Sequence, residues 1–199
     1  MDLSAFEILS ADYPESIKFL VNDDPFQFII CVILSAQTTD RRVMEVTPSL
    51  FARYPDARAL SQADNADVEE IIRPLGFFRA KAKSVIGFSR AVCELGYIPE
   101  TIEELVKLPG VGRKTANCYL ESIGRPAVIV DTHFKRVCYR LGYTDSKDPE
   151  RIEMDIRRGA PEEKWSRMSM VLNAYGRDVC HSQKPECERC KVESYCRRR

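Results

Sequence analysis

Helix start and stop signals recur at short intervals along this chain, and the period-two alternation of a strand hardly appears. That pattern restricts the fold more than any other feature, because it provides no sheet for helices to pack on. In "DDPFQFIICVILSAQ" Asp24 stands as an N-cap and Pro25 takes the first helical position. The nearly unbroken apolar run after them predicts a buried helix. "TTDRRVMEVTPSLFARYP" and "DNADVEEIIRPLG" predict two more, the second stopping near Pro74. "FFRAKAKSVIGFSRAVCELG" closes on Gly96, and Gly87 inside it costs roughly 1 kcal/mol relative to alanine. Thr101 and Glu104 have capping-box spacing at the head of "TIEELVKL". "RKTANCYLESIG" closes on Gly124, and "DTHFKRVCYRLG" runs from an Asp131 cap to Gly142. "DPERIEMDIRRG" and "EEKWSRMSMVLNAYGR" complete the series. Only "AVIV", residues 127–130, reads as extended. The expected architecture is all-α with short connections.

With 199 residues, 44% of them hydrophobic, the chain can bury a real core in one or two domains. Its formal net charge is zero, so no global field draws it to a polyanion, and any nucleic-acid contact must come from a local patch. Charge is segregated along the chain. Lys107, Arg113, Lys114, Arg125, Lys135, Arg136 and Arg140 are interrupted only by Glu121 and Asp131, whereas residues 56–70 hold Asp56, Asp64, Asp67, Glu69 and Glu70 against Arg58 alone. Ordinary solvated helix faces would produce the same segregation. No apolar run reaches the length of a membrane span, and the acidic start "MDLSAFEILSADYPES" lacks the basic region of a signal peptide. A cytoplasmic protein with reduced thiols is expected, so the eight cysteines need a purpose other than disulfides.

In "LPGVGRKTANCYL" the segment Gly110, Val111 and Gly112 joins two short helices into a helix-hairpin-helix unit. Glycine permits positive φ and close backbone approach, and successive N–H groups ahead of a helix N-terminus form an anion site suited to a DNA phosphate. A tight turn without a ligand would look the same. Arg113 and Lys114 then open a helix, where the macrodipole and the neighbouring cation both disfavour an ammonium. A lysine held partly neutral is a nucleophile suited to Schiff-base chemistry, although a phosphate-contacting surface lysine is the commoner case. Asp131 is an N-cap by type and position. It could also relay a proton or stabilise positive charge building on a sugar.

Cys180, Cys187, Cys190 and Cys196 follow C-x6-C-x2-C-x5-C, four thiols within one short segment. Zinc sites of four cysteines usually show two C-x2-C pairs, so the single pair and unequal outer gaps favour a cubane iron–sulfur cluster. Lys184, Arg189, Lys191 and Arg197 to Arg199 can offset its negative charge. Cys31, Cys93, Cys118 and Cys138 lie in apolar helical contexts and are expected in the core.

Together "LPGVGRKTAN", "VDTH", "LSAQTTD" at residues 34–40 and the four-cysteine tail resemble the endonuclease III family of helix-hairpin-helix DNA glycosylases. The match runs in consistent order through nearly the whole chain. The resemblance implies a bifunctional DNA glycosylase and abasic-site lyase acting on oxidised pyrimidines in duplex DNA. It implies a six-helix barrel at residues 19–125 and a second domain of residues 1–18 and 126–199 holding a [4Fe–4S] cluster, with a DNA cleft between them. It makes Lys114 the nucleophile, Asp131 the catalytic aspartate and the four tail cysteines the cluster ligands. Gln37 matches the residue that fills the gap left by the extruded base. Phe77 matches an apolar wedge, with buried core as its alternative. The hairpin and the loop cations Lys184, Arg189 and Lys191 would contact DNA, and the chain would act as a monomer. One departure is Tyr175, where many members have His before "GR". A monofunctional glycosylase using Asp131 to activate water, a non-catalytic hairpin module and a small electron carrier remain as alternatives.

Overall fold

The computed structural model describes residues 1–17 and 20–197; Lys18, Phe19, Arg198 and Arg199 lie outside the described residues. Among the described residues every regular element is helical. In chain order the α-helices are α1 (Ser4–Ser10), α2 (Pro25–Leu34), α3 (Asp40–Arg53), α4 (Ala57–Ser61), α5 (Asn65–Ile72), α6 (Phe78–Leu95), α7 (Ile102–Leu105), α8 (Arg113–Ser122), α9 (Thr132–Leu141), α10 (Pro149–Gly159) and α11 (Trp165–Asp178). Short 3-10 turns cover Arg73–Leu75, Glu162–Lys164, Cys187–Arg189 and Glu193–Tyr195. The chain divides into two compact units, one of Phe19–Gly124 and one of Met1–Lys18 with Arg125–Arg199.

The continuous unit forms around α2. Asp24 caps it, its carboxylate accepting the Gln27 N–H at 2.8 Å. Ile29, Ile30 and Leu34 are fully buried, each stabilising by about 1.5–3 kcal/mol. α2 packs on α8, α6 and α3, while α4 and α5 pack on α6. The Phe26 and Phe88 rings stack between α2 and α6, centroids 6.2 Å apart. Gly87 has a reason to sit inside α6: a Cβ there would stand 3.1 Å from the Pro109 Cβ. Its helix penalty lets the hairpin lie close against α6.

The discontinuous unit packs α1, α9, α10 and α11 around Phe6, Leu9, Phe134, Ile152, Met168 and Leu172. The sequence pattern predicts neither α1 nor α4. Both are short, and α1 has no side-chain cap, so tertiary contacts must hold it. The Phe6 N–H donates to Tyr143 Oη at 2.9 Å, and the Arg167 guanidinium gathers the carbonyls of Ser10 (2.8 Å) and Tyr13 (2.9 Å). The "AVIV" segment is extended but pairs with no strand among the described residues. Its N–H groups find serines of α11 instead, Ala127 to Ser166 Oγ (3.1 Å) and Ile129 to Ser169 Oγ (2.9 Å). The expectation that all four other cysteines lie in the core needs correction. Cys31 and Cys138 are buried, but Cys93 is exposed and Cys118 only partly covered, on outer faces of their helices.

Candidate active site and metal centre

The hairpin is a seven-residue link between α7 and α8 built on one β-turn. Pro109 and Gly110 occupy its centre, and the Val111 N–H donates to Leu108 O at 3.1 Å. Gly110 has φ +77°, and a Cβ there would lie 2.7 Å from the Ser84 Cβ, so both conformation and space demand glycine. Gly112 differs. Its φ is −93°, and nothing lies within 4 Å of where its Cβ would be. The chain's own packing does not require glycine there. Gly112 is also the N-cap of α8 and offers no side chain to its first N–H groups, whereas Asp24, Thr39 and Asp131 do so for their helices. Lys114 stands exposed in that uncapped first turn.

In the same unit, Gln37 (φ +54°) and Phe77 (φ +48°) both adopt left-handed backbone and are exposed. Lys184 of the other unit has φ +48° and is exposed too. These are the three non-glycine residues with positive φ among the described residues, and all three match expected DNA contacts. Such backbone costs of order 1–3 kcal/mol and collects where function needs it. Phe77 is 65% exposed, so it is not a core residue. Its neighbour Phe78 is covered by Arg73 and Arg79, each guanidinium 5.6 Å from the ring. The turn that presents Phe77 is fastened by Lys81, a residue that no sequence signal singles out. Lys81 is buried, its Nζ donates to Leu75 O at 2.9 Å, and burial pushes its ammonium below the usual lysine range.

In the discontinuous unit, Asp131 caps α9, its Oδ1 accepting the Phe134 N–H at 2.7 Å. Its Oδ2 accepts from Asn173 Nδ2 of α11 at 2.5 Å. Forty-two residues separate the pair, and no local pattern marks it.

The thiols of Cys180, Cys187, Cys190 and Cys196 line one cavity of about 350 Å³, shared with Arg140 and Tyr175. Four cysteines around one cavity are donors of the kind an iron–sulfur cluster takes. Arg140 Nη1 donates to Cys180 Sγ at 3.1 Å and to His181 O at 2.8 Å, and Arg136 Nε donates to Cys180 O at 2.9 Å. Two cations of the basic run therefore serve the cysteine loop. Tyr175 Oη donates to Cys190 Sγ at 2.8 Å, and burial, then that bond, push its phenol well above the usual range. Arg189 pairs with Glu186 and Lys191 with Asp12, each at 2.6 Å, and Arg197 pairs with Asp145.

A model of the HhH-GPD superfamily of base excision DNA repair proteins matches residues 30–162. Endonuclease III of Synechocystis sp. is 46% identical over 193 residues, 95% of this chain and 88% of that protein. Endonuclease III of Escherichia coli is 35% identical over 86% of this chain and 83% of that protein. A trapped endonuclease III–DNA covalent intermediate superposes with a TM-score of 0.91 at 34% identity, covering 97% of this chain and 92% of that one. A non-covalent endonuclease III–DNA complex gives 0.90 at 34% identity, over 96% and 91%. The chain belongs to the HhH-GPD superfamily of base excision DNA repair proteins, among relatives that are endonucleases III. It is a DNA glycosylase and abasic-site lyase of base excision repair.

Proposed function

We propose that the enzyme removes oxidised pyrimidines from duplex DNA and cuts the resulting abasic site by β-elimination, with Lys114 as nucleophile and Asp131 as catalytic carboxylate. The observation that carries this reading is Lys114, an exposed amine in the uncapped first turn of α8, directly after the hairpin. The hairpin N–H groups hold a phosphate. The damaged nucleotide leaves the stack at a cost of a few kcal/mol, smaller for a damaged base. The Lys114 amine attacks C1′ and the base departs taking up a proton; the C1′–O4′ bond then opens, a proton goes to O4′, and an imine forms. Asp131 relays a proton or stabilises positive charge on the sugar. Loss of a proton from C2′ then breaks the C3′–O bond, the 3′ phosphate leaves, and the strand is cut on its 3′ side. Gln37 fills the vacated space, Phe77 wedges against the opposite strand, and Lys184, Arg189 and Lys191 contact the backbone. The enzyme works as a monomer in the cytoplasm on chromosomal DNA; no helix among the described residues is long and apolar enough to cross a membrane.

Cys180, Cys187, Cys190 and Cys196 would hold a [4Fe–4S] cluster, which would supply structural order to the loop carrying Lys184 and Arg189. The thiols, Arg140 and Tyr175 around one cavity support that reading.

Borohydride trapping on duplex containing an abasic site or thymine glycol tests the chemistry. Wild-type enzyme should become covalently linked, and Lys114→Gln should not. Undiminished trapping in that variant would sink the assignment.

A further inference from the structure

Asn173 is 6% exposed, yet its Oδ1 is fully buried without a hydrogen-bond partner among the described residues. A buried carbonyl oxygen left unpaired costs about 1–3 kcal/mol. Packing alone therefore does not select asparagine, since leucine has nearly its shape and no polar atom. Capping does not select it either, because the cap of α9 uses Asp131 Oδ1 and the Phe134 N–H. What asparagine adds is a donor to Asp131 Oδ2. With both oxygens held, the carboxylate cannot swing about its own axis.

The amide also suits either protonation state of its partner. An ionised carboxylate only accepts, whereas a carboxylic acid must also donate. Half a turn of the amide exchanges Nδ2 for the partnerless Oδ1, giving a protonated Asp131 an acceptor in the same place. A buried leucine offers neither.

We infer that Asn173 is a positioning residue for the reaction, fixing the direction of the Asp131 carboxylate from α11. The inference rests on Asp131 being the catalytic carboxylate. A residue acting this way sets the rate on bound substrate and leaves DNA binding alone.

The test is single-turnover cleavage of a thymine glycol duplex across a range of enzyme concentrations, for wild type, Asn173→Leu and Asp131→Asn. Thermal melting and iron content report folding. Misplacing a reacting group by about 1 Å costs on the order of 100-fold, so the rate constant of Asn173→Leu at saturation should fall by about that factor. Its half-saturating concentration should stay unchanged. A rate equal to wild type, with Asp131→Asn inactive, overturns the role of Asn173 alone. A loss confined to half-saturation also overturns it, since that is a binding defect. Wild-type activity in Asp131→Asn overturns the catalytic assignment of Asp131 and this inference with it. If Asn173→Leu does not fold, the smaller Asn173→Ala, which removes the donor and adds no charge, is judged by the same criteria.

Discussion

Replacing Phe77 isolates the energetic cost of its left-handed backbone, because alanine and glycine should change stability in an order opposite to the usual one. The ring is 65% exposed, so about a third of its surface is covered. Fully burying a phenylalanine stabilises by about 1.5–3 kcal/mol, and a third of that is roughly 0.5–1 kcal/mol. Phe77→Ala should lose this amount and keep the strain at φ +48°. Phe77→Gly loses the same contacts but removes a left-handed cost of roughly 1–2 kcal/mol. Against that gain, glycine gives the unfolded chain about 0.4–1 kcal/mol more freedom. The glycine variant should thus be more stable than the alanine variant by about 0.5–1 kcal/mol, close to wild type. At an ordinary helix position glycine is the less stable by a similar amount. Urea denaturation followed by circular dichroism measures the order. Both variants should lose activity on lesions in duplex DNA and keep it on single-stranded abasic DNA, where no opposite strand needs a wedge. An alanine variant more stable than the glycine variant would refute the strain argument whatever the activities.

The two hairpin glycines should part company: Gly110→Ala forces positive φ and a 2.7 Å approach to Ser84, destabilising by about 1–3 kcal/mol, while Gly112→Ala should fold normally yet bind every duplex more weakly. Full affinity of Gly112→Ala for undamaged DNA, read by anisotropy, would remove the hairpin from phosphate binding. Asp131→Asn should keep the α9 cap, changing stability by only a few tenths of a kcal/mol, while turnover falls roughly 100-fold or more. Tyr175→Phe deletes the O–H donor on Cys190 Sγ, and hydrogen bonds to sulfur favour the reduced state, so the midpoint potential of the proposed cluster should fall with base excision unchanged. A redox titration giving the wild-type potential would count against that contact.

Local physics made much of this fold legible in the sequence. Asp24, Thr101 and Asp131 cap the helices they were expected to cap, and Gly96 and Gly142 end theirs in left-handed conformation. Those signals lie within four residues of what they control. The reading stopped where partners are far apart. Nothing near Ala5 or Leu9 announces that α1 will be held by Arg167 and Tyr143. Ser166 and Ser169 look like ordinary helix positions until an extended segment needs their hydroxyls. Asn173, Lys81 and Arg140 act at the candidate sites through side chains that meet only once the units have formed. The glycine pair is legible as a motif but not as a division of labour, since only the backbone φ separates Gly110 from Gly112.

The discontinuous unit also sets a schedule during synthesis. The continuous unit, residues 19–124, is built from one uninterrupted stretch and can form its own core as soon as it leaves the ribosome. Helix α1 emerges earlier still and has none. Its Phe6 N–H waits for Tyr143, 137 positions later, and Glu7 waits 157 positions for Lys164. Asp131 receives Asn173 only when α11 exists, and the cysteine loop follows that helix. A ribosome-bound chain therefore displays the hairpin bearing Lys114 before it owns an oriented Asp131 or the four-cysteine loop. The gap between those two moments is a built-in delay, during which the hairpin and the amine proposed as nucleophile exist without the carboxylate proposed to act with them.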